Sequence, residues 1–450
     1  MTGLSAAEAK MRAAGVSEIG VRAFARLFAL LAAGDRGVIS SEDLEPVRDV
    51  ESLTELDAPT PNDALDRTVV VRLNGGLGTT MGLAEPKSLV VVKPGLTFLD
   101  VIARQVLAAR ARWRARLPLV LMNSYATRGP SLETLRSHTG LAGDLPADFL
   151  QHREPRLRAA DLQPLDLPAD PDAEWCPPGH GDLYAALRAS GMLAEMLERG
   201  YRYAFVANAD NLGAVLEPRI LGWMVRHEIP FVMEVVQGTA ADRKGGHIAL
   251  HGGRLVLRDT AQAPDDGSFT DFARWRFYNS NNLWIDLVAL AELLDAHDGV
   301  LPLPLIVNRK TLPAAGEVVQ LETSMGSAIG LIEGAHALHV PRTRFAPVKT
   351  TDDLLLVRSD AYELADDAAL VPAAGAAQGA VVALDGAYYG TLQDLDRRFP
   401  FGPPSMRRCT RLSIRGDVVF GRDVELAGDV ELRGPARIPD GAVLGGVRAG

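Results

Sequence analysis

The chain has 450 residues and a net charge of −10, with 47% hydrophobic and 23% charged residues. That length exceeds one ordinary core, so two or three domains are expected, and the acidic balance argues against nucleic-acid binding, which calls for a basic face. An anionic small substrate stays open, because a site needs only local positive charge.

Two cysteines, Cys176 and Cys409, stand far apart. They cannot build a disulfide framework or a cysteine-rich zinc site, and they fit a reducing cytoplasm. The opening MTGLSAAEAKMRAAG has no apolar core of signal-peptide length, and the lack of an apolar run of about 18 residues predicts no membrane span.

Residues 5–34, rich in Ala, Leu, Arg and Glu, read as helix. Ser40 followed by Asp43 reads as the cap of another short helix. The segment from Asp57 to Asp66, with two prolines and several acids, reads as a linker. From Arg67 the texture changes. The runs VVVRLN, LPLVLMNS, YAFVAN (203–208) and FVMEVV (231–236) are strand-like, and FLDVIARQVLAARARW is helical. Continuous apolar strands alternating with helices predict an α/β domain whose parallel strands are covered on both faces. Ligands of such sheets sit beyond the carboxyl ends of the strands, where NGG and NADN fall.

Near the C-terminus Ile414, Phe420, Leu426, Leu432, Ile438 and Leu444 recur every six residues. Leu412, Val418, Val424, Val430, Ala436 and Ala442 do the same, and Gly416, Gly428 and Gly434 keep the period. Two registers held together predict a small β-helix rather than short antiparallel strands.

The stretch VVVRLNGGLGTTMGLAEPKS carries the chemistry. G-x-G-x-x-G fails, because Met81 stands where the third glycine belongs, and the Walker pattern fails at Pro86 before Lys87-Ser88. A strand, a glycine turn rich in N–H groups and a following lysine remain. Such a turn cradles phosphate, and Lys87 adds a point charge. The competing reading is a tight turn with a surface lysine.

LNGGLGTTMG…PKS resembles the signature of the eukaryotic-type UTP–glucose-1-phosphate uridylyltransferases (UDP-glucose pyrophosphorylases). The resemblance continues through WCPPGHGDLY, NADNLGA, FVMEV, KGG, NSNNLW, IVNRKTL, QLETSMGSAI and VPRTRFAPVKTTDDLLLV, beyond about residue 40. It implies a helical region and linker over 1–66 and a catalytic domain over 67–345. That domain is expected to be a Rossmann-like, GT-A-like mixed sheet with helices on both faces. Residues 346–450 are expected to end in a left-handed β-helix at about 408–446.

The implied reaction joins UTP to glucose 1-phosphate with release of pyrophosphate and Mg²⁺ as cofactor. No protein nucleophile is needed, so positioning and electrostatics do the work. Leu73, Asn74, Gly75 and Gly76 are expected to face uracil and ribose with their backbone, and Gln151 and Gly179 to read the base. Lys87 would neutralise the leaving phosphates. Asp210 would hold the metal, Asn208 would reach both ribose and sugar, and His180 would contact the sugar phosphate. Glu234, Gly246, Asn279 and Asn281 would line the sugar pocket, and Lys349 would bridge the attacking and α-phosphates. Glu85 and Leu83 replace the usual glycine and cysteine, and Glu85 is expected to point outward. The alternatives are another sugar or cyclitol 1-phosphate as acceptor, or a non-catalytic nucleotide-sugar sensor. A monomer or homodimer is expected, because the short GGVRAG tail offers little apolar surface end to end.

Overall fold

The computed structural model describes residues 2–57, 62–239, 242, 245–377 and 379–447. The N-terminal stretch forms two helices, α1 (Gly3–Ala13) and α2 (Glu18–Ala32). Gly15, at φ +75°, breaks what was expected to be one helix, and Ser17 caps the second by accepting from the Gly20 N–H. The helix expected behind Ser40 is absent among the described residues; a turn and the two-residue strand Glu45–Pro46 stand there. The expected linker is helical over Asn62–Asp66, where Ala64 and Leu65 are buried.

Strand β1 (Thr68–Asn74) lies at the heart of the sheet, parallel to β2 (Leu119–Asn123) on one side and β4 (Tyr203–Asn208) on the other. The short β3 (Asp148–Leu150) continues the parallel set beyond β2. The sheet is mixed because the ten-residue β8 (Phe277–Asp286) runs antiparallel to both β4 and β5 (Phe231–Gln237). The hairpin β6 (Gly246–His251) and β7 (Arg254–Asp259) branches from β8, and β9 (His336–His339) pairs with β5.

Helices cover both faces. The even and odd residues of β1 divide between two cores, with Val70 facing α3 (Phe98–Trp113) and α5 (Pro218–Arg226), and Val69 and Val71 facing α4 (Leu183–Ala189) and α6 (Leu287–Ala296). This is the pleat alternation of a strand buried on both sides. Helix α3 starts at a capping box built by Thr97 and Asp100.

At the C-terminus, β10 (Val381–Ala383), β11 (Ser405–Arg415), β13 (Glu425–Arg433) and β15 (Val443–Val447) form one parallel ladder, and β12 (Val418–Phe420) and β14 (Ala436–Ile438) a second. Partners are three six-residue periods apart, as in Leu412 with Val430 and Phe420 with Ile438. The periodic side chains point inward, with Leu412, Val418, Phe420 and Leu426 all nearly inaccessible. Helix α7 (Thr351–Arg358) joins this region through Asp352, which accepts from the Leu384 N–H at 3.3 Å.

Candidate active site

The register of the parallel strands brings Leu73, Asn123 and Asn208 to one edge. Beyond that edge is a cavity of about 260 Å³. Leu73, Asn74, Gly75, Gly76, Lys87, Gln151, Gly179, His180, Asn208 and Asp210 all line it, with Ser88, Met122, Pro177 and Ala209, which the sequence did not single out. The glycine loop folds back on itself: the Lys87 N–H donates to the Gly76 carbonyl at 3.2 Å, and Leu77 pairs with Pro86. Glu85 is exposed.

Each glycine has its own reason. A Cβ on Gly75 would lie 2.4 Å from Gln151 Oε1, so Gly75 makes room for the amide. At Gly76, by contrast, nothing among the described residues lies within 4 Å of the Cβ position, so its bare backbone faces the cavity. Gly179, at φ +78°, abuts the Thr323 backbone, and the Gly181 N–H donates to the Thr323 carbonyl at 2.8 Å. Asn74 offers the cavity its backbone only, because its amide donates to Asn123 and Ser131, each at 2.8 Å.

The charged groups meet at the end of β4. Lys87 Nζ lies 2.5 Å from Asp210 Oδ2. Oδ1 of Asp210 is buried and has no hydrogen-bond partner among the described residues. A carboxylate oxygen left uncommitted beside a phosphate cradle fits a divalent cation that takes its other ligands from phosphate and water. Among the described residues no cluster of three or more His, Cys, Asp or Glu side chains could hold a metal by itself.

His180 Nδ1 accepts from the Met325 N–H at 3.1 Å, which leaves the ring proton on Nε2. Burial, with Lys349 adding to it, pushes its pKa down to about 4, so the ring is a neutral donor. Lys349 does not line the cavity, yet its loop is tied to the site. The Val348 N–H donates to the Asp210 carbonyl at 3.2 Å, Pro347 pairs with Asn211, and the Ala346 N–H donates to Asn211 Oδ1 at 2.9 Å. Electrostatically, Lys349 acts on both His180 and Asp259.

Glu234 does not line the cavity. Expected in the sugar pocket, it is instead fully buried and saturated. Arg344 donates to it twice, at 2.6 and 2.8 Å, Trp284 Nε1 at 2.9 Å and Asn282 Nδ2 at 3.0 Å. No lone pair is left for a hydroxyl. Gly246 is buried against Leu257 and stands opposite Asp259 in the β6–β7 ladder. Asn279 and Asn281 bond each other at a bulge of β8, where Asn281 has φ +58°, a conformation Asn tolerates. These three do not line the cavity. Sequence reasoning missed Asp259, whose carboxyl is raised by burial and drawn down by Lys349; an acid at a strand end carries no distinguishing local pattern. It also missed the chain Ser17–His152–Asp182, each link 2.7 Å, behind Gln151 and the His180 turn.

Compared with known proteins, residues 22–427 match the family model described as UTP–glucose-1-phosphate uridylyltransferase. The protein of that name from Solanum tuberosum is 38% identical over 414 residues, 90% of this chain and 85% of the relative. A probable one from Schizosaccharomyces pombe is 36% identical over 418 residues, 90% and 81% of the two chains. Among solved structures, a mutant UDP-glucose pyrophosphorylase from Leishmania major in complex with UDP-glucose superposes with a TM-score of 0.94 at 40% identity, covering 100% of both chains. A UDP-glucose phosphorylase from Trypanosoma brucei gives 0.93 at 39% identity, covering 99% and 100%.

Proposed function

The chain belongs to the UTP–glucose-1-phosphate uridylyltransferase family, and we propose that it performs the transfer for which that family is named. A phosphate oxygen of glucose 1-phosphate attacks the α-phosphorus of UTP. The bond from that phosphorus to the bridging oxygen breaks, and pyrophosphate leaves with the electron pair. The observation that carries this reading is the convergence of the Gly76 backbone, Lys87, Asp210 and neutral His180 on one cavity.

Gln151, backed by Gly75, hydrogen-bonds the uracil edge, and a base with another donor pattern would leave its amide unpaired. The Gly76 backbone takes the phosphates. On substrate binding Lys87 exchanges Asp210 for the departing pyrophosphate. His180 donates Nε2–H to the sugar phosphate without adding charge. Asn208 reaches ribose and sugar, and Asn279, Asn281 and the Gly246–Asp259 rung stand for the hydroxyl-facing wall. Lys349, with its loop tied to Asp210, stabilises charge between the two reacting phosphates. Mg²⁺ fits Oδ1 of Asp210 and, when bound, would neutralise phosphate charge.

The C-terminal ladders are read as coils of a left-handed β-helix, supported by the three-period spacing of partners. A monomer or dimer in a reducing cytoplasm is the matching state, supported by two buried free thiols. The test is pyrophosphate release measured across four nucleoside triphosphates and a panel of glucose, galactose, N-acetylhexosamine and cyclitol phosphates. UTP with glucose 1-phosphate should lead by kcat/KM. Preference for another pair would replace the substrate assignment, and no release with any pair would leave the sensor reading.

A further inference from the structure

The residues after Gln151 leave the cleft and meet the N-terminal helices. The His152 ring stands between Asp182 and Ser17, with Nδ1 2.7 Å from Asp182 Oδ1 and Nε2 2.7 Å from the Ser17 hydroxyl. A carboxylate only accepts, so Nδ1 carries a proton and Nε2 faces the hydroxyl. Asp182 Oδ2 accepts from the His152 backbone N–H at 2.6 Å. Asp182 is 5% exposed and stands at the N-cap of α4, yet its side chain makes no capping bond there. Both of its oxygens turn to His152 instead. On the other side Gly20, in the first turn of α2, seats the ring. A Cβ at Gly20 would lie 2.6 Å from His152 Cδ2, and glycine within a helix is otherwise unfavourable. Arg153 extends the contact by donating to the Ala14 carbonyl at 3.2 Å, with its guanidinium 4.6 Å from the Trp175 ring centroid.

Helix α2 is a firm support, because it is fastened elsewhere to the catalytic domain. Arg22 donates to the Asp298 carbonyl and Arg26 to the Leu303 carbonyl, each at 2.8 Å. On the cleft side the Gln151 N–H donates to the Asn123 carbonyl at 2.8 Å, and the Gln151 amide lies tight against Gly75. The backbone from Gln151 to His152 is thus held by β2 at one N–H and by Asp182 at the next, and the ring beyond it is held at both nitrogens. A displaced ring therefore pulls on the Gln151 backbone. We propose, on the base-reading role given to Gln151 above, that α2 positions this amide: Ser17 and Gly20 set the His152 ring, and His152 sets Gln151. Neither Ser17 nor Gly20 lines the cleft. The turn of Gly179 and His180 has its own tie, from the Gly181 N–H to the Thr323 carbonyl at 2.8 Å. Loss of the support from α2 thus acts on base selection and leaves the phosphoryl transfer in place.

The test is pyrophosphate release by the full chain from UTP and, separately, from CTP, with glucose 1-phosphate as acceptor. CTP presents an amino group and a bare ring nitrogen where UTP presents a carbonyl and an N–H. Ser17→Ala should raise KM for UTP, keep kcat near the parental value at saturating UTP, and narrow the kcat/KM ratio of UTP over CTP by ~3–10-fold, the worth of one hydrogen bond. Ser17→Thr, which keeps the hydroxyl, should restore the ratio. Gly20→Ala puts a better helix former into α2 but pushes on the ring; it should narrow the ratio as well, and it decides the matter if Ser17→Ala fails to fold. A helix that only braced the fold would change the amount of active enzyme, and hence kcat, for both nucleotides alike. A ratio unchanged in Ser17→Ala and Gly20→Ala, in a parent that prefers UTP, overturns this proposal alone. A parent with no preference for UTP over CTP overturns the base-reading role of Gln151 and this proposal with it.

Discussion

Replacing Glu234 by Gln keeps the side-chain volume and removes one negative charge. No cavity opens, so the loss is electrostatic. Four hydrogen bonds converge on this carboxylate, two of them from Arg344, which is 6% exposed. In the variant Arg344 and Arg72 stand in the core with no counter-charge between them. Removing one partner of a buried ion pair costs about 3–5 kcal/mol, out of a total stability on the order of 5–15 kcal/mol. Urea unfolding followed by tryptophan fluorescence reads the loss, and Trp284 reports from inside the network. A double variant, Glu234→Gln with Arg344→Met, should recover part of it, since it also removes one of the two guanidiniums left without a counter-charge. A loss under ~1 kcal/mol would refute the reasoning. A carboxylate that held the sugar would behave differently, raising KM for glucose 1-phosphate while stability stayed put.

Lys349→Ala should lower kcat by roughly 10²–10³-fold while UTP still binds by titration; near-parental turnover at saturating substrate would remove Lys349 from the mechanism. Asp210→Asn should abolish Mg²⁺-supported turnover and melt close to the parent, since the pair with Lys87 is partly exposed, and full activity at low millimolar Mg²⁺ would cancel the metal assignment. Gly75→Ala should displace Gln151 and raise KM for UTP by about 3–10-fold, the worth of one hydrogen bond; an unchanged KM would count against base recognition by that amide. His180 has a folded pKa of about 4 against an ordinary 6.5, so the unfolded chain binds more protons between these values. Its contribution is present above pH 6.5 and lost as pH falls toward 4, and a His180→Gln variant should lose stability less steeply over that window in melting experiments. Light scattering across a concentration series should give a monomer or dimer, and a stable octamer would contradict that state.

Local pattern carried much of this fold. The strand YAFVAN and the helix FLDVIARQVLAARARW lie where their runs of apolar residues put them. The six-residue period of Leu412 to Leu444 became inward-facing ladders because each position repeats its environment. What stayed illegible depends on distant partners. Glu234 looks like any acid in a strand until β8 and Arg344, 110 positions on, close over it. The antiparallel run of β8 and the bulge that sets Asn281 have no signal in NSNNLW. The break at Gly15 was legible in principle, since a glycine in αL geometry ends helices. Of the cleft, the glycines, Lys87, Gln151, His180 and Asp210 assemble as one lining, whereas Lys349 meets them only through its loop.

The hydrogen bond from Lys87 to Gly76 turns the glycine segment into a clasp whose two ends are fastened together. The Lys87 backbone is located by that bond and by the Leu77–Pro86 pair, and the strap between is itself tied, with the Gly78 N–H donating to the Glu85 carbonyl at 3.4 Å and Met81 buried in the core. Motifs defined by fixed spacing describe loops in which every residue wraps the ligand in turn. Here the glycine and the lysine are brought together by pairing across the loop, a relation that neither spacing template describes.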